Sequence, residues 1–225
     1  MRARIARVMR GKDSGLTIVE LMVSMLISSM VLAMIAAMFI NVAKITSVAN
    51  ATTQRSSIAG NTMDELVEVI RTATTNAVAT SIEPDPALAS ATSTALTLYS
   101  FVDAAPAAPA PSKVTFRFDS SGYLIEDRIL GTDSNGYWAF SGAVVSRTLG
   151  GPMDLTGGDP FFTYLNSSGE AIPPGTGMGL TQRKLVSSIR VSIRIANLPS
   201  ASSDPIIVIN TIGMPNLKIT RTDTP

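Results

Sequence analysis

Hydrophobic positions fall into three regimes along the chain. Leu16 to Ile40 is a run of 25 residues, almost wholly apolar and broken by one charge, Glu20. At ~1.5 Å of rise per residue, a helix of that length exceeds the ~30 Å hydrocarbon core of a bilayer. After Ile40 the apolar residues thin to a stripe: Val42, Ile45, Val48, then Met63, Leu66, Val67, Ile70, Ala73 and Ala77. Spacing of three and four marks one face of an amphipathic helix, and Asp64, Glu65, Glu68 and Arg71 lie opposite it. Gly60 is the only glycine between Leu16 and Ile82, and the first proline is Pro84. One helix is therefore predicted from Leu16 to about Thr80–Ile82. Pro84 and Pro86 end it, because proline removes a donor and restricts the residue before it.

Beyond Pro86 the period becomes two. Thr94 to Val102 reads as a strand, and Asp103 to Ser112 as an extended Ala/Pro loop. Lys113–Phe118 and Tyr123–Leu130 read as strands joined at Asp119–Gly122, a hairpin signal that recurs at Asp133–Gly136 and Asn166–Gly169. Tyr137–Thr148 and Phe161–Leu165 are further predicted strands, separated by a Gly-rich loop over residues 150–160. In Leu185–Ile195, Ile189, Val191, Ile193 and Ile195 alternate with Arg190, Ser192 and Arg194, one face buried and one wet. Pro205–Ile212 is predicted to be a buried strand, and Leu217–Thr220 to close the sheet. The fold class expected is α+β: a long N-terminal helix, membrane-spanning first and amphipathic second, packed on an antiparallel β-sheet head.

Charge distribution refines this picture. The first 15 residues carry Arg2, Arg4, Arg7, Arg10, Lys12 and Asp13, a net +4 against +1 for the chain, so the remainder is −3. A weakly acidic remainder lacks the clustered Lys/Arg of non-specific nucleic-acid binding. The absence of cysteine excludes disulfides, thiolate zinc sites and Cys nucleophiles, and the absence of histidine removes the commonest general base and metal ligand. Five basic residues precede the apolar run, and only Lys44 and Arg55 follow it closely, which places the N-terminus in the cytoplasm. A secretory signal peptide is a poor fit, since its apolar core is shorter and the A-x-A-like sites around Ala33–Ala37 fall inside the run. An uncleaved anchor is the plainer alternative. A carboxylate inside such a run is costly, which makes Glu20 a functional candidate.

A basic leader ending in Gly15, a hydrophobic Leu16 directly after it, Glu20 as the fifth residue after Gly15, and an apolar helix together resemble the type IV prepilin family. That family includes pilins and the pseudopilins of type II secretion and DNA-uptake machines. The resemblance covers residues 1 to about 45, and departs from the commonest pattern only at Leu16, where Phe is usual. The order of C-terminal strands, with the Phe162–Gly169 segment FTYLNSSG, resembles W-type minor pilins and J-type pseudopilins.

The resemblance implies a division into a removed leader (1–15), a transmembrane and filament-core helix (16–40), its amphipathic continuation (41–82) and a β-rich head (83–225). It implies cleavage by a prepilin peptidase between Gly15 and Leu16, and N-methylation of Leu16. It also implies a subunit-assembly role for Glu20 against a neighbour's new α-amino group. The implied partners are the peptidase, other pilins or pseudopilins in a filament, and an inner-membrane assembly platform with its ATPase. The implied location is a single-pass cell-membrane protein with its head outside, then a surface filament or pseudopilus. Many pilins clasp their C-terminal region with a disulfide; here packing and strand pairing must hold the head. No catalytic residue, cofactor or metal is expected, and no direct nucleic-acid contact.

The remaining candidates read as surface or core. Glu126–Asp127 and Asp64–Glu65 read as solvated faces. Asp154 and Asp159 are oxygen ligands without the dense spacing of a calcium loop. Tyr137, Trp138 and Phe140 read as sheet packing, with a binding patch as the alternative. Arg183, Lys184, Arg190 and Arg194 would form an anionic-surface contact only if all face one side. That feature carries the competing reading, a membrane-anchored β-domain acting as an adhesin or binding module without filament assembly.

Overall fold

The computed structural model describes residues 15–102, 109–196 and 205–218. Leader residues 1–14, most of the Ala/Pro loop and the last residues of the chain lie outside the described set. The chain divides into two compact units, one up to Ala49 and one from Asn50 onward. Helix α1, Ile18–Arg71, runs through the boundary. As expected from its sequence, a long helix with an apolar first half is followed by antiparallel sheets, the α+β arrangement of a pilin-like fold.

In the first unit the side chains of residues 15–47 are all exposed. Leu16, Ile18, Met34 and Phe39 each show more than two thirds of their surface. That much contiguous apolar surface is incompatible with water, and α1 is long and apolar enough to cross a membrane. The hydroxyls of Ser24 and Ser29 donate to the carbonyls of Leu21 and Leu26, so these polar groups are satisfied within the helix.

The second unit is the head. Eleven strands follow α1 among the described residues. One sheet has the order β1 (Leu88–Ala91), β2 (Leu96–Ser100), β3 (Ser112–Phe118), β4 (Leu124–Leu130) and β7 (Val145–Gly150). A second has β11 (Ile206–Gly213), β10 (Ser188–Ile195), β8 (Phe162–Leu165) and β9 (Ala171–Ile172). A separate two-stranded ribbon pairs β5 (Thr132–Ser134) with β6 (Tyr137–Ala139). A short helix α2, Leu180–Leu185, precedes β10, and a 3-10 turn occupies Pro215–Lys218.

The core gathers Ala59, Met63, Leu66, Val69 and Ile70 from α1 with residues of both larger sheets, including Leu98, Phe116, Phe162, Tyr164, Ile189 and Ile193. The Tyr164 hydroxyl, desolvated by burial, donates to the Thr92 carbonyl at 2.8 Å. The predicted hairpins form as their turn chemistry requires. Asp119 Oδ1 accepts the N–H of Ser121 and Tyr123 at 2.8 and 2.9 Å. Asn135 and Gly136, at φ 57° and 83°, take the left-handed pair that closes β5–β6.

Several elements differ from expectation. Helix α1 ends at Arg71, about ten residues early. Thr72, Thr74, Thr75 and Asn76 compete with helical hydrogen bonds through short polar side chains, and the backbone there is taken by strand pairing. Thr74 N–H donates to Tyr99 O at 2.8 Å, Phe101 N–H to Thr72 O at 3.2 Å, and Asn76 bridges Asp85. The predicted Tyr137–Thr148 strand is split into β6 and β7, which belong to different sheets. Strand β1 and helix α2 were not anticipated. Pro205–Ile212 does not become a buried strand: β11 is a sheet edge, with Ile207 and Ile209 about half exposed. Leu217–Lys218 lies in the 3-10 turn rather than in a closing strand.

Candidate functional site

Gly15, Leu16 and Thr17 have no regular structure and are exposed. The helix starts at Ile18 because Thr17 caps it. The Thr17 hydroxyl oxygen accepts the Glu20 N–H at 3.2 Å, and the Thr17 carbonyl accepts the Leu21 N–H at 3.1 Å. Thr17 is thus the N-cap and Glu20 the third helical residue, the T-x-x-E spacing of a capping box. The Gly15–Leu16 bond sits two residues ahead of the cap, in irregular exposed backbone that a protease can engage. Glu20 lies in the first helical turn, where the unpaired N–H groups carry partial positive charge. The T-x-x-E pattern of Thr17 and Glu20 is the sequence signal of this helix start.

Asp64 is exposed, as a solvated face would be, but Glu65, Glu126 and Asp127 turn to partners on the head. Glu126, on β4, is fully buried. It accepts from Arg128 through Nε and from Arg147 of β7, whose Nε lies 2.7 Å from Oε2. Glu65 of α1 joins the same pair of guanidiniums, 2.8 Å from Arg128 and also in contact with Arg147. Two acids and two arginines close a neutral cluster between α1 and the β4–β7 edge. On the opposite face of β4, Asp127 pairs with Arg117 at 2.6 Å and accepts from Ser146 at 2.5 Å. Burial raises the Asp127 carboxyl, but the hydrogen bonds from Arg117 and Ser146 and the Arg117 charge outweigh it, holding the group below the usual carboxylate range. These side chains are saturated by one another, and nothing in their geometry offers an acid–base pair to a substrate.

The basic residues do not assemble into a patch. Arg183 turns inward to the carbonyls of Leu88 and Ala89, and Lys184 pairs with Glu83 at 2.7 Å. Arg190 reaches Thr211, and Arg194 lies against Gly157 in the Gly-rich loop. In that loop, hydrogen bonds from the Thr156 hydroxyl and N–H hold the Asp154 carboxyl below its ordinary range, with Arg194 adding to the effect. Among the described residues no group of three or more acidic, His or Cys side chains is placed to hold a metal ion.

Tyr137 and Trp138 are not sheet core. They stand on the β5–β6 ribbon, Tyr137 exposed and Trp138 half-buried, at the side of an open cavity of ≈ 860 Å³. Phe140 stacks on Tyr99 with ring centres 5.0 Å apart. Gly131 permits this arrangement: a Cβ there would lie 2.7 Å from the Pro111 carbonyl and within 3.3 Å of the Phe140 and Trp138 rings.

Residues 10–36 match the family model described as the prokaryotic N-terminal methylation motif. The match spans Gly15, Leu16, Thr17 and Glu20. No curated protein matches the chain. The chain therefore carries a type IV prepilin-type N-terminal signature ahead of a pilin-like fold. The signature implies processing by a prepilin peptidase and assembly with other pilins, and with the exposed apolar helix it supports membrane anchoring.

Proposed function

We propose that this protein is a minor pilin or pseudopilin, a non-enzymatic subunit cut between Gly15 and Leu16 and built into a type IV pilus-like filament. The observation that carries the reading is the five-residue step from Gly15 to Glu20 at the head of an apolar helix whose cap begins only at Thr17. In this reading residues 1–15 are the removed leader, 16–40 the membrane and filament-core segment, the rest of α1 to Arg71 its continuation, and the strands that follow belong to the head. An inner-membrane platform and its ATPase move the subunit from bilayer to filament, leaving the head at the surface or in a periplasm-spanning pseudopilus.

Cleavage converts the Leu16 nitrogen from an amide to an amine, which is then N-methylated. The amine is cationic whether or not it is methylated. In hydrocarbon a lone Glu20 carboxylate costs several kcal/mol even on lower estimates. The positive end of its helix offsets a fraction of that. A neighbour's Leu16 ammonium offsets more, and only at one axial offset, so the pair sets register; buried ion pairs act better as register devices than as net stabilisers. The order of strands through the Phe162–Gly169 hairpin favours the W-type or J-type branch. Dispersal of Arg183, Lys184, Arg190 and Arg194 removes the basic surface on which the anchored binding-module alternative rested.

Intact-mass and N-terminal peptide analysis of protein from cells with and without the prepilin peptidase tests the reading. A chain starting at methylated Leu16, found only with the peptidase, is expected. A chain starting at Met1 in both would refute it.

A further inference from the structure

We infer that Asn135 is a site of spontaneous covalent modification, deamidation by water through a cyclic imide, and that Asp133 restrains it. Asn135–Gly136 is the only Asn-Gly pair in the chain. In such a pair the glycine nitrogen closes on the asparagine Cγ with no following side chain in the way. The pair forms the tip of the two-residue turn between β5 and β6, and residues 132–137 are all exposed. A Cβ built on Gly136 would meet nothing within 4 Å, so water has open access to the reacting bond. Asn166, in a turn of similar composition, is a different case. Ser167 follows it, its Oδ1 accepts the N–H groups of Ser168 and Glu170, and its amide donates to the Glu170 carboxylate.

The Gly136 nitrogen bonds to Asn135 Cγ, the Cγ–Nδ2 bond breaks, and the side-chain amide leaves as ammonia with the proton of the Gly136 N–H. Water then opens the ring. Attack at Cγ gives aspartate; attack at the Asn135 main-chain carbonyl carbon gives isoaspartate, in which the chain runs through the side chain. The only co-reactant is water. The nucleophile is the ionised nitrogen, so the Gly136 N–H proton must be lost. That N–H donates to Asp133 Oδ1 at 2.9 Å. A carboxylate in that position holds the proton, and its charge disfavours an anion on the nitrogen. Ring closure also swings the nitrogen toward Cγ and breaks this bond. Asp133 is itself held in register opposite Trp138. Isoaspartate adds a backbone atom to a turn built on two left-handed residues, so the pairing of Ser134 with Tyr137 and of Asp133 with Trp138 loosens once it forms.

The detergent-solubilised full chain is incubated at 37 °C at pH 7 and at pH 9, digested with trypsin, and followed by mass spectrometry. The tryptic peptide Ile129–Arg147 holds Asn135 as its only amide side chain, so a mass gain there reports this residue alone. Asn135 should convert faster than any other asparagine, and faster at pH 9 than at pH 7. Asp133→Ala should raise the rate about tenfold, the effect of losing one charge-assisted hydrogen bond. Asp133→Asn, which keeps an oxygen acceptor without the charge, should fall between parent and Asp133→Ala. Thr132→Ala loosens the ribbon by removing the bond from the Thr132 hydroxyl to the Ala139 carbonyl, yet leaves Asp133 in place, and should raise the rate less. Trp138 is the only tryptophan in the chain, and its emission should change in step with isoaspartate formation. No conversion of Asn135 in Asp133→Ala at pH 9 overturns the inference. So does a rate in Asp133→Ala equal to or below that of the parent. A rise in Thr132→Ala as large as in Asp133→Ala overturns the role of Asp133, because ribbon opening would then set the rate.

Discussion

Replacing Glu126 by Gln tests the principal polar contact between the helix and the sheet. The carboxylate is fully buried and shared by Arg128 and Arg147. Gln keeps the volume but removes the charge, leaving two guanidiniums on the single carboxylate of Glu65. Removing one partner of a fully buried ion pair costs about 3–5 kcal/mol. Here the cost is smaller, because the Arg147 side chain is 46% exposed and Glu65 still serves both arginines. A loss of roughly 2–3 kcal/mol follows once solvent screening at Arg147 is discounted. For a chain of this size that corresponds to a fall in Tm of about 4–12 °C, measured by scanning calorimetry of the detergent-solubilised protein. Arg147→Met should cost well under half as much, since Arg128 keeps both acids paired and the lost charge was half in water. Glu126→Gln within about 0.5 kcal/mol of the parent, or Arg147→Met as costly as Glu126→Gln, would show that the cluster does not bear the weight assigned to it.

Other perturbations should separate the two units of the chain. Glu20→Val should leave membrane insertion and peptidase cleavage intact while removing the protein from sheared filament fractions; normal incorporation would refute the register role. Phe116→Ala, at a position with no exposed surface, should cost about 3–5 kcal/mol of head stability by calorimetry, with cleavage at Gly15 unchanged. Asp127→Asn probes acid stability. Because the Asp127 carboxyl sits below its ordinary range, its stabilisation is present above the unfolded value near 3.9 and is lost as pH falls through the lower folded value. The variant should therefore be less stable than the parent at pH 6, by less than about 1 kcal/mol since Arg117 is 46% exposed. The gap should close as pH falls through that lower folded value, and added salt should narrow it at pH 6.

What the sequence disclosed depended on the range of the interaction involved. The apolar run, the Gly15–Glu20 spacing and the Asp119, Asp133 and Asn166 turns are local patterns, and each was readable. The inward face of β10 was readable because alternation over Ile189–Ile195 belongs to one strand. The helix end was missed because Thr72–Asn76 leaves the helix to pair with Tyr99 and Asp85, partners far along the chain. Edge or centre placement of β11 was missed for a similar reason: an apolar run says that a strand forms, not how many neighbours it has. Glu126 looked solvated beside Asp127 because adjacent strand residues point to opposite faces, and only pairing with Arg147 shows which face is buried. The aromatic ribbon hid its character because Trp138 and Phe140 resemble core until Gly131 fixes them beside an open cavity.

Without a cysteine, the head must hold the end of α1 by other means. Four kinds of contact converge on the end of α1 and on Thr72 just after it. Met63, Leu66, Val69 and Ile70 are sealed in the core. Thr62 donates to the Leu149 carbonyl at 3.3 Å, and Ser100 to the Val69 carbonyl at 3.0 Å, each tying the helix to a strand. The Thr72 and Ser100 hydroxyls meet at 2.7 Å. Glu65 adds its charge-assisted bonds to Arg128 and Arg147. The neutral hydrogen bonds contribute about 1 kcal/mol each, and burying four large side chains contributes more than all of them together. Packing therefore holds the helix in the head. The polar contacts fix its rotation and axial position, because sliding by one residue would leave Glu126 and the two arginines misaligned in a buried site. If the chain is the filament subunit proposed above, that division serves it: apolar area resists pulling the helix from the head, and a buried charge cluster resists slipping.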